Sequence, residues 1–294
     1  MSAIAPNAEE DILIRASSLS GYSDCPRRAA ARIFRRHIEA AGYVLRDLPN
    51  NIGATVGTAV HAAAATMLKH KAEHGTLGSE ADSTEIGIES LREGMAPGVM
   101  MDRETPDMNA AEQQVTRMAR VYRVQVAPGI QPLTVEERLE AQVKPGLVLT
   151  GQSDVIAREP GKVRDLKSGK KLGNHAAQVG AYSLLARSSG TDITSAGIDF
   201  VQRVSMKKPQ PDAVHQEIKL ALAESAAVNV LRRMAEDLKV FREGNPALRL
   251  QPGDNWAFLP NPSSMLCSAK WCPAHSGGPN GFCHDHPQTE DDKE

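Results

Sequence analysis

Residues 133–143, "LTVEERLEAQV", alternate in character along the chain. Val135, Glu137, Leu139 and Ala141 fall on one side, and Glu136, Arg138, Glu140 and Gln142 on the other. A period of two predicts a strand with one face toward a core. The runs "LVLTGQSDVIA" (147–157) and "KVRDLKS" (162–168) predict two more strands, joined by the turn "REPG". "SAGIDFVQRV" (195–204) and "AVHQEIKLA" (213–221) predict a further pair around a proline-rich turn. Elsewhere the pattern is helical. In "SSLSGYSDCPRRAAARIFRRHIEAAG" (17–42) the serines suit an N-cap and a turn, and the part after the proline reads as helix. "GATVGTAVHAAAATMLKHKAEHG" (53–75) is an alanine-rich helix with a glycine stop, and residues 83–95 and 108–126 read as two more, separated by the loop "APGVMMDRETPD". "HAAQVGAYSLLARSSG" (175–190) and "AESAAVNVLRRMAEDLKVFREG" (223–244) complete the set.

This order predicts an α/β protein. Its N-terminal helical region covers 1–126, and its core, a mixed β-sheet flanked by helices, covers 127–245. A loop-rich, cysteine-bearing segment follows at 246–286, then an acidic tail, "PQTEDDKE", at 287–294 that reads as disordered. The 294 residues suffice for a large core, and the 41% hydrophobic and 24% charged content is that of a folded globular chain. A net charge of −2 excludes a basic field over the whole molecule, so a nucleic-acid surface must be a local patch. Aromatic content of 4% argues against base stacking as a main mode of recognition. No apolar run reaches membrane-spanning length, and the start "MSAIAPNAEEDILIR" lacks a basic-then-apolar signal pattern. The expectation is a cytoplasmic protein with no membrane partner, its oligomeric state left open.

The strand "KVRDLKS" carries the first candidate chemistry. A period of two puts Val163, Asp165 and Lys167 on one face, with Asp165 and Lys167 about 7 Å apart. Asp154 lies near the end of the preceding strand, and the turn brings it alongside. Two converging carboxylates repel unless a cation sits between them, and hard oxygen ligands suit Mg²⁺ or Mn²⁺. A lysine beside such a site can orient a water or stabilise charge on a phosphate. Glu137 joins the candidates as the acid on the apolar face of its strand, where a core-facing acid needs a partner. A bare D-x-K triplet also arises as a surface salt bridge; the aspartate across one turn makes that reading much weaker.

"GQSDVI", then "VRDLKSGK", then "QVGAY" resembles the PD-(D/E)XK nuclease superfamily, in its RecB-like branch. The shared pattern is G-x-x-D at Asp154, D-x-K at Asp165 and Lys167, and Q-x-x-x-Y at Gln178 and Tyr182. Gln178 and Tyr182 share a helix face. An upstream G-x-x-x-H pattern is met by Gly57 and His61 in "GTAVH", and the resemblance extends over about residues 18–285. It implies a restriction-endonuclease-like core. It also implies a divalent metal held by Asp154, Asp165 and the Leu166 carbonyl, with His61 and Glu137 as further ligands. Lys167 would position the attacking water, and Gln178 and Tyr182 would contact the DNA or brace the site. The implied activity is metal-dependent DNA hydrolysis, exonucleolytic, on single-stranded DNA or single-stranded ends. The settings are recombination, repair, or phage and CRISPR-related processing, with a recombination or single-strand-binding protein as a candidate partner. The alternative is a non-catalytic nucleic-acid-binding protein that keeps the fold.

Four cysteines, Cys25, Cys267, Cys272 and Cys283, are split between the two ends of the chain. In a reducing compartment a clustered set points to a metal site rather than to disulfides. "YSDCPRRAAARIF" and "CSAKWCPAHSGGPNGFC" resemble the iron–sulfur nucleases of this branch, including CRISPR-adaptation nucleases and AddB-type helicase–nucleases. In these, four thiolates bind a [4Fe–4S] cluster and staple the chain ends. Here the gaps of four and ten residues are wider than the family's usual spacing. Zn²⁺ is the alternative, with His275, His284 or His286 able to replace one thiolate. Lastly, "CPRRAAARIFRRH" places Arg28, Arg32, Arg35 and Arg36 along one helix stripe with Arg27 beside it. That stripe is either a solvated face or a phosphate-contacting surface.

Overall fold

The computed structural model describes residues 12–158, 161–275 and 278–285. The acidic tail, His286 and the middle of the "REPG" turn lie outside the described residues. The chain opens with a strand the alternation did not reveal, β1 (Ile12–Arg15). Three short helices follow, α1 (Leu19–Asp24), α2 (Pro26–Ile33) and α3 (Arg35–Ala40). Cys25 adopts an extended backbone between the first two, with Pro26 at the first position of α2, so the expected single helix is divided.

A two-residue strand β2 (Asn50–Asn51) leads into α4 (Ile52–His74), capped by the Asn51 side chain, which accepts the Ala54 N–H. Helix α5 (Glu80–Met95) and α6 (Met108–Val121) flank β3 (Val99–Met100), which pairs with β2. Ser79 and Asp107 cap these two helices through their side chains.

The sheet region begins with β4 (Pro132–Val135) and β5 (Arg138–Lys144), then β6 (Leu147–Gln152) and β7 (Val155–Ala157). Strand β8 (Lys162–Gly169), helix α7 (Ala176–Ser188), β9 (Ser195–Gln202), β10 (Val214–Ile218) and helix α8 (Leu220–Glu243) follow. Two sheets result. One has the order β1-β6-β5 and the other β10-β9-β8-β7-β4. Strands β8 and β9 are parallel and joined through α7, as a parallel pair requires a crossover.

The two long expected strands are each interrupted at the same level. Residues 136–137 separate β4 from β5, and residues 153–154 separate β6 from β7. Each run therefore steps from one sheet into the other. Glu136 makes the step with a left-handed backbone, φ 51°, and its N–H donates to the Asp154 carbonyl at 3.1 Å.

Alternation distributes the core to both sides of the five-stranded sheet. Val155, Ala157, Leu166 and Val201 pack with Val56, Val60, Val115 and Met118 of α4 and α6. Ile156, Val163 and Ile198 pack with Val179 and Leu185 of α7, with Leu231 and Met234 of α8 beyond. Helices α7 and α8 meet at very short range. A Cβ at Gly180 would stand 2.0 Å from the Ala223 carbonyl oxygen, so no larger residue fits without the helices parting. Gly180→Ala is expected to destabilise the protein by about 1–3 kcal/mol through this overpacking. Denaturant midpoints of the two proteins check it.

Candidate active site

Asp154 sits at the step between the sheets, at the gap that separates β6 from β7. Its Oδ2 accepts the backbone N–H of Leu166 at 2.6 Å, and its Oδ1 lies 2.9 Å from His61 Nδ1. His61 reaches it from α4 because that helix lies close against β8. A Cβ at Gly57, one turn earlier, would stand 2.9 Å from Ser168 Oγ. The glycine and the histidine of G-x-x-x-H thus serve one close approach.

Asp165 lies on the opposite face of β8 from Leu166, toward α7, and is 1% exposed. The Lys167 ammonium stands 2.8 Å from its Oδ2, without a well-directed hydrogen bond to that atom. Gln178 Nε2 faces Asp165 Oδ1 at 3.4 Å and donates to Tyr182 Oη at 2.9 Å. Gln178 and Tyr182 are both buried, so the Q-x-x-x-Y pair braces Asp165 from behind. The structure brings together His61, Asp154, Asp165, Leu166, Lys167, Gln178 and Tyr182.

Glu137 is corrected. Its side chain is exposed, and Glu136 lines the recess formed with His61, Asp154 and Leu166. The left-handed residue at 136 breaks the period of two and turns the other acid inward. Glu136 also meets Lys69 Nζ at 3.3 Å. Composition gives no signal for that backbone conformation, since glutamate is not a residue that favours it. His175, at the start of α7, belongs to none of the sequence patterns. Burial and then the Lys167 charge push its imidazole down to about 4, which keeps it neutral.

The electrostatics divide the two acids. Burial pushes the Asp165 carboxyl up to about 6; Lys167 opposes this, and the Asp154 charge adds to it. Burial acts on Asp154 in the same sense. The charge and hydrogen bond of His61, with Lys167 and the Leu166 N–H, outweigh it and hold Asp154 below the ordinary carboxylate range. Burial disfavours the charged imidazole of His61, but Asp154 overcomes it and raises its pKa.

No group of three or more His, Cys, Asp or Glu among the described residues is arranged to hold a metal ion as it stands. The donor chemistry nevertheless fits a hard divalent cation. The buried Asp165 and the half-buried Asp154 lie within electrostatic reach of each other, and Asp165 Oδ2 lacks a directed donor.

The cysteines form a second locus. Cys25, Cys272 and Cys283 are buried, Cys267 is half-buried, and none forms a disulfide. All four line one small recess, of about 10 Å³, with Arg28, Ser264 and Asp285 among its other walls. His275 and His284 are not in that lining. Burial pushes the Cys272 thiol up to about 11. As they stand the four thiols are not arranged to hold a metal ion; in kind and number they are the donors of a four-cysteine site.

The arginine stripe is also corrected. Arg27 is 1% exposed; it donates to the Phe258 carbonyl and pairs with Asp285 at 2.6 Å. Arg28 is buried and pairs with Asp24. Arg32 reaches the Trp271 carbonyl, and Arg35 pairs with Glu39 and Asp47. Arg36 is exposed. The C-terminal segment folds over the helix and occupies Arg27, while Asp24 holds Arg28, so these two offer no phosphate surface.

A family model described as the PD-(D/E)XK nuclease superfamily matches residues 15–276. No curated protein matches the chain. Among solved structures, one from Eubacterium rectale described as a "Putative exonuclease" superposes with a TM-score of 0.53 at 12% identity, covering 83% of this chain and 88% of that one. A second, SSO0001, gives a TM-score of 0.29 at 13% identity over 76% of this chain and 87% of that one. The mixed sheets and flanking helices are those of a restriction-endonuclease-like fold.

The raised Asp165 pKa carries a sign for stability. An acid raised above its unfolded value, about 3.9, stabilises the fold only while protonated, so ionisation costs stability as pH climbs from about 4 to 6. In chelator-treated protein, Asp165→Asn should therefore match the parent near pH 4. Above pH 6 it should exceed the parent by on the order of 3 kcal/mol. Denaturant titrations across that range check it.

Proposed function

Because the chain belongs to the PD-(D/E)XK nuclease superfamily, we propose that it is a metal-dependent DNA exonuclease of the RecB-like branch. The observation that carries this is the pairing of Asp165 with Lys167 beside an Asp154 held by His61, with Gln178 and Tyr182 behind. Asp154, Asp165 and the Leu166 carbonyl would hold Mg²⁺ or Mn²⁺, with His61 as a further ligand and Glu136 in place of Glu137. Such an ion, when bound, supplies Lewis-acid stabilisation of charge on the phosphoryl oxygens.

The chain's own groups supply the rest. Lys167 orients the attacking water and shields negative charge that develops on the phosphate. Gln178 keeps Asp165 and Tyr182 in register. His175, kept neutral, adds no second positive charge beside Lys167. The exonuclease reading accords with the description of the Eubacterium rectale structure, whose likeness extends to the fold alone. Single-stranded DNA or single-stranded ends are the proposed substrate.

We further infer that Cys25, Cys267, Cys272 and Cys283 hold a [4Fe–4S] cluster, since four thiols and no histidine among the described residues line their recess. Cys25 on one side and Cys267, Cys272 and Cys283 on the other would, by holding such a cluster, join the two ends of the chain and couple its binding to folding.

Cleavage of end-labelled linear DNA, set against closed circular DNA with Mg²⁺ or Mn²⁺, tests the exonuclease reading; equal attack on circles would reassign it to an endonuclease. Asp165→Ala and Lys167→Ala should each lower the rate at least about 100-fold while the fold is kept. His61→Ala should cost more activity with Mn²⁺ than with Mg²⁺. Protein purified without oxygen should be brown and contain iron and acid-labile sulfide. Colourless protein with one zinc would replace the cluster by zinc. Serine at any of the four cysteines should lower thermal stability and not cleavage alone.

A further inference from the structure

With Arg27 and Arg28 of the arginine stripe already occupied, the proposed substrate needs another surface. A groove of about 970 Å³ opens past the end of β8. Its walls come from the residues after β8, the loop after β9, the stretch 103–107 and the first turns of α6. Six basic side chains line it, Arg103, Lys170, Lys171, Arg203, Lys207 and Lys208, against two acidic ones, Glu104 and Asp107. In a chain of net charge −2 this is a local reversal of sign.

The charges divide into frame and surface. Arg203 is buried and spent on Asp102, at 2.6 Å, and on Thr105. Lys170 pairs with Asp102 and Glu104. Asp107 accepts the Ala110 N–H as the cap of α6. The other four, Arg103, Lys171, Lys207 and Lys208, are exposed and make no ion pair with a described residue.

The frame is prebuilt. The Gln114 amide, 1% exposed, donates to the carbonyls of both Glu104 and Val204 and so ties two walls together. The Arg203 backbone N–H donates to the Gly169 carbonyl, and Gln202 Nε2 to that of Lys170, which ties the loop after β9 to the end of β8.

The position is as informative as the charge. Lys170 and Lys171 follow Lys167 by three and four residues, just past the end of β8, so their Cα atoms lie at most roughly 10–14 Å from its own. A polyanion with one phosphate at Lys167 would reach the groove with its neighbours. No aromatic side chain lines the groove, so bases find no stacking platform there, and recognition falls to phosphates without regard to sequence.

We propose that this groove binds the phosphate backbone of the substrate strand on one side of the scissile bond, through Arg103, Lys171, Lys207 and Lys208. The proposal rests on the nuclease reading for the identity of the strand and goes beyond it in assigning where that strand lies.

The test uses the full-length protein, a fluorescein-labelled single-stranded oligonucleotide, and chelator to prevent cleavage, over a series of NaCl concentrations. Lys171, Lys207 and Lys208 are changed together to alanine, and Lys171→Glu is made alone as a smaller change. The triple variant should bind at least tenfold more weakly. Its plot of log affinity against log salt should be shallower by about 0.7 for each phosphate no longer neutralised, about 2 in all. Alanine at Arg232 and Lys239, exposed on α8, should change neither quantity.

With Mg²⁺ or Mn²⁺ the triple variant should show a raised KM and an unchanged kcat. Wild-type affinity and salt slope in the triple variant would overturn the groove, and so would an equal loss in the α8 variant. The two readings fail separately. A wild type that cleaves while the triple variant binds normally loses the groove and keeps the nuclease. A wild type that never cleaves, with binding that still depends on the three lysines, keeps the groove and loses the nuclease.

Discussion

Two carboxylates enclosed near one another raise each other's cost of ionisation, and much of the architecture around Asp154 and Asp165 manages that cost. They are not equivalent. Asp154 sits where the sheets part and receives a backbone N–H and an imidazole. Asp165 is sealed against α7, with a lysine and a glutamine amide for company. One is held ionised and the other is left with a pKa near 6, a pair divided by environment alone. For the division to hold, α4 must press onto β8 and α7 must stand firm behind Asp165. The glycines at 57 and 180 permit the two approaches.

The step between the sheets supplies the other half of the arrangement. Had β6 and β7 run on as one strand, Asp154 would lie within a continuous ladder, its side chain fixed by the pleat alone. The break frees it to turn toward His61 and the Leu166 amide. The left-handed Glu136 on the neighbouring run completes the same corner. Such a backbone costs of order 1 kcal/mol or more for a residue with a side chain, and it occurs where the site needs it.

What the amino-acid order revealed follows from the range of the forces involved. Asp165 and Lys167 were legible because a strand's period is local, and Gln178 and Tyr182 because a helix's is. The helix α4 was legible from its alanine-rich run and its glycine stop. Strand β1 was not, since its four residues find their partner only in β6, far along the chain. Arg27 and Arg28 looked like a charged surface because their burial is set by tertiary packing and not by helix spacing, as are Arg27's partners Phe258 and Asp285. Glu137 was read as the core-facing acid because the alternation runs through 133–143 as if it were one strand; the left-handed Glu136 breaks that strand between β4 and β5, while Leu139 and Ala141 beyond it still pack on the core.

The closure of the chain ends bears on how the protein comes into being. Strand β1 pairs in parallel with β6, and Cys25 shares its recess with residues as late as Cys283 and Asp285. Arg27 waits on Phe258 and Asp285 in the same way. On a ribosome the amino-terminal segment emerges first; β1 must wait for β6, and Cys25 and Arg27 for residues 258–285. The five-stranded sheet and its helices can assemble earlier, so the stretch around Cys25 and Arg27 is among the last to be secured. A chain released before residue 267 would carry every acid of the site and leave Arg27 without Asp285 and Cys25 a solitary thiol.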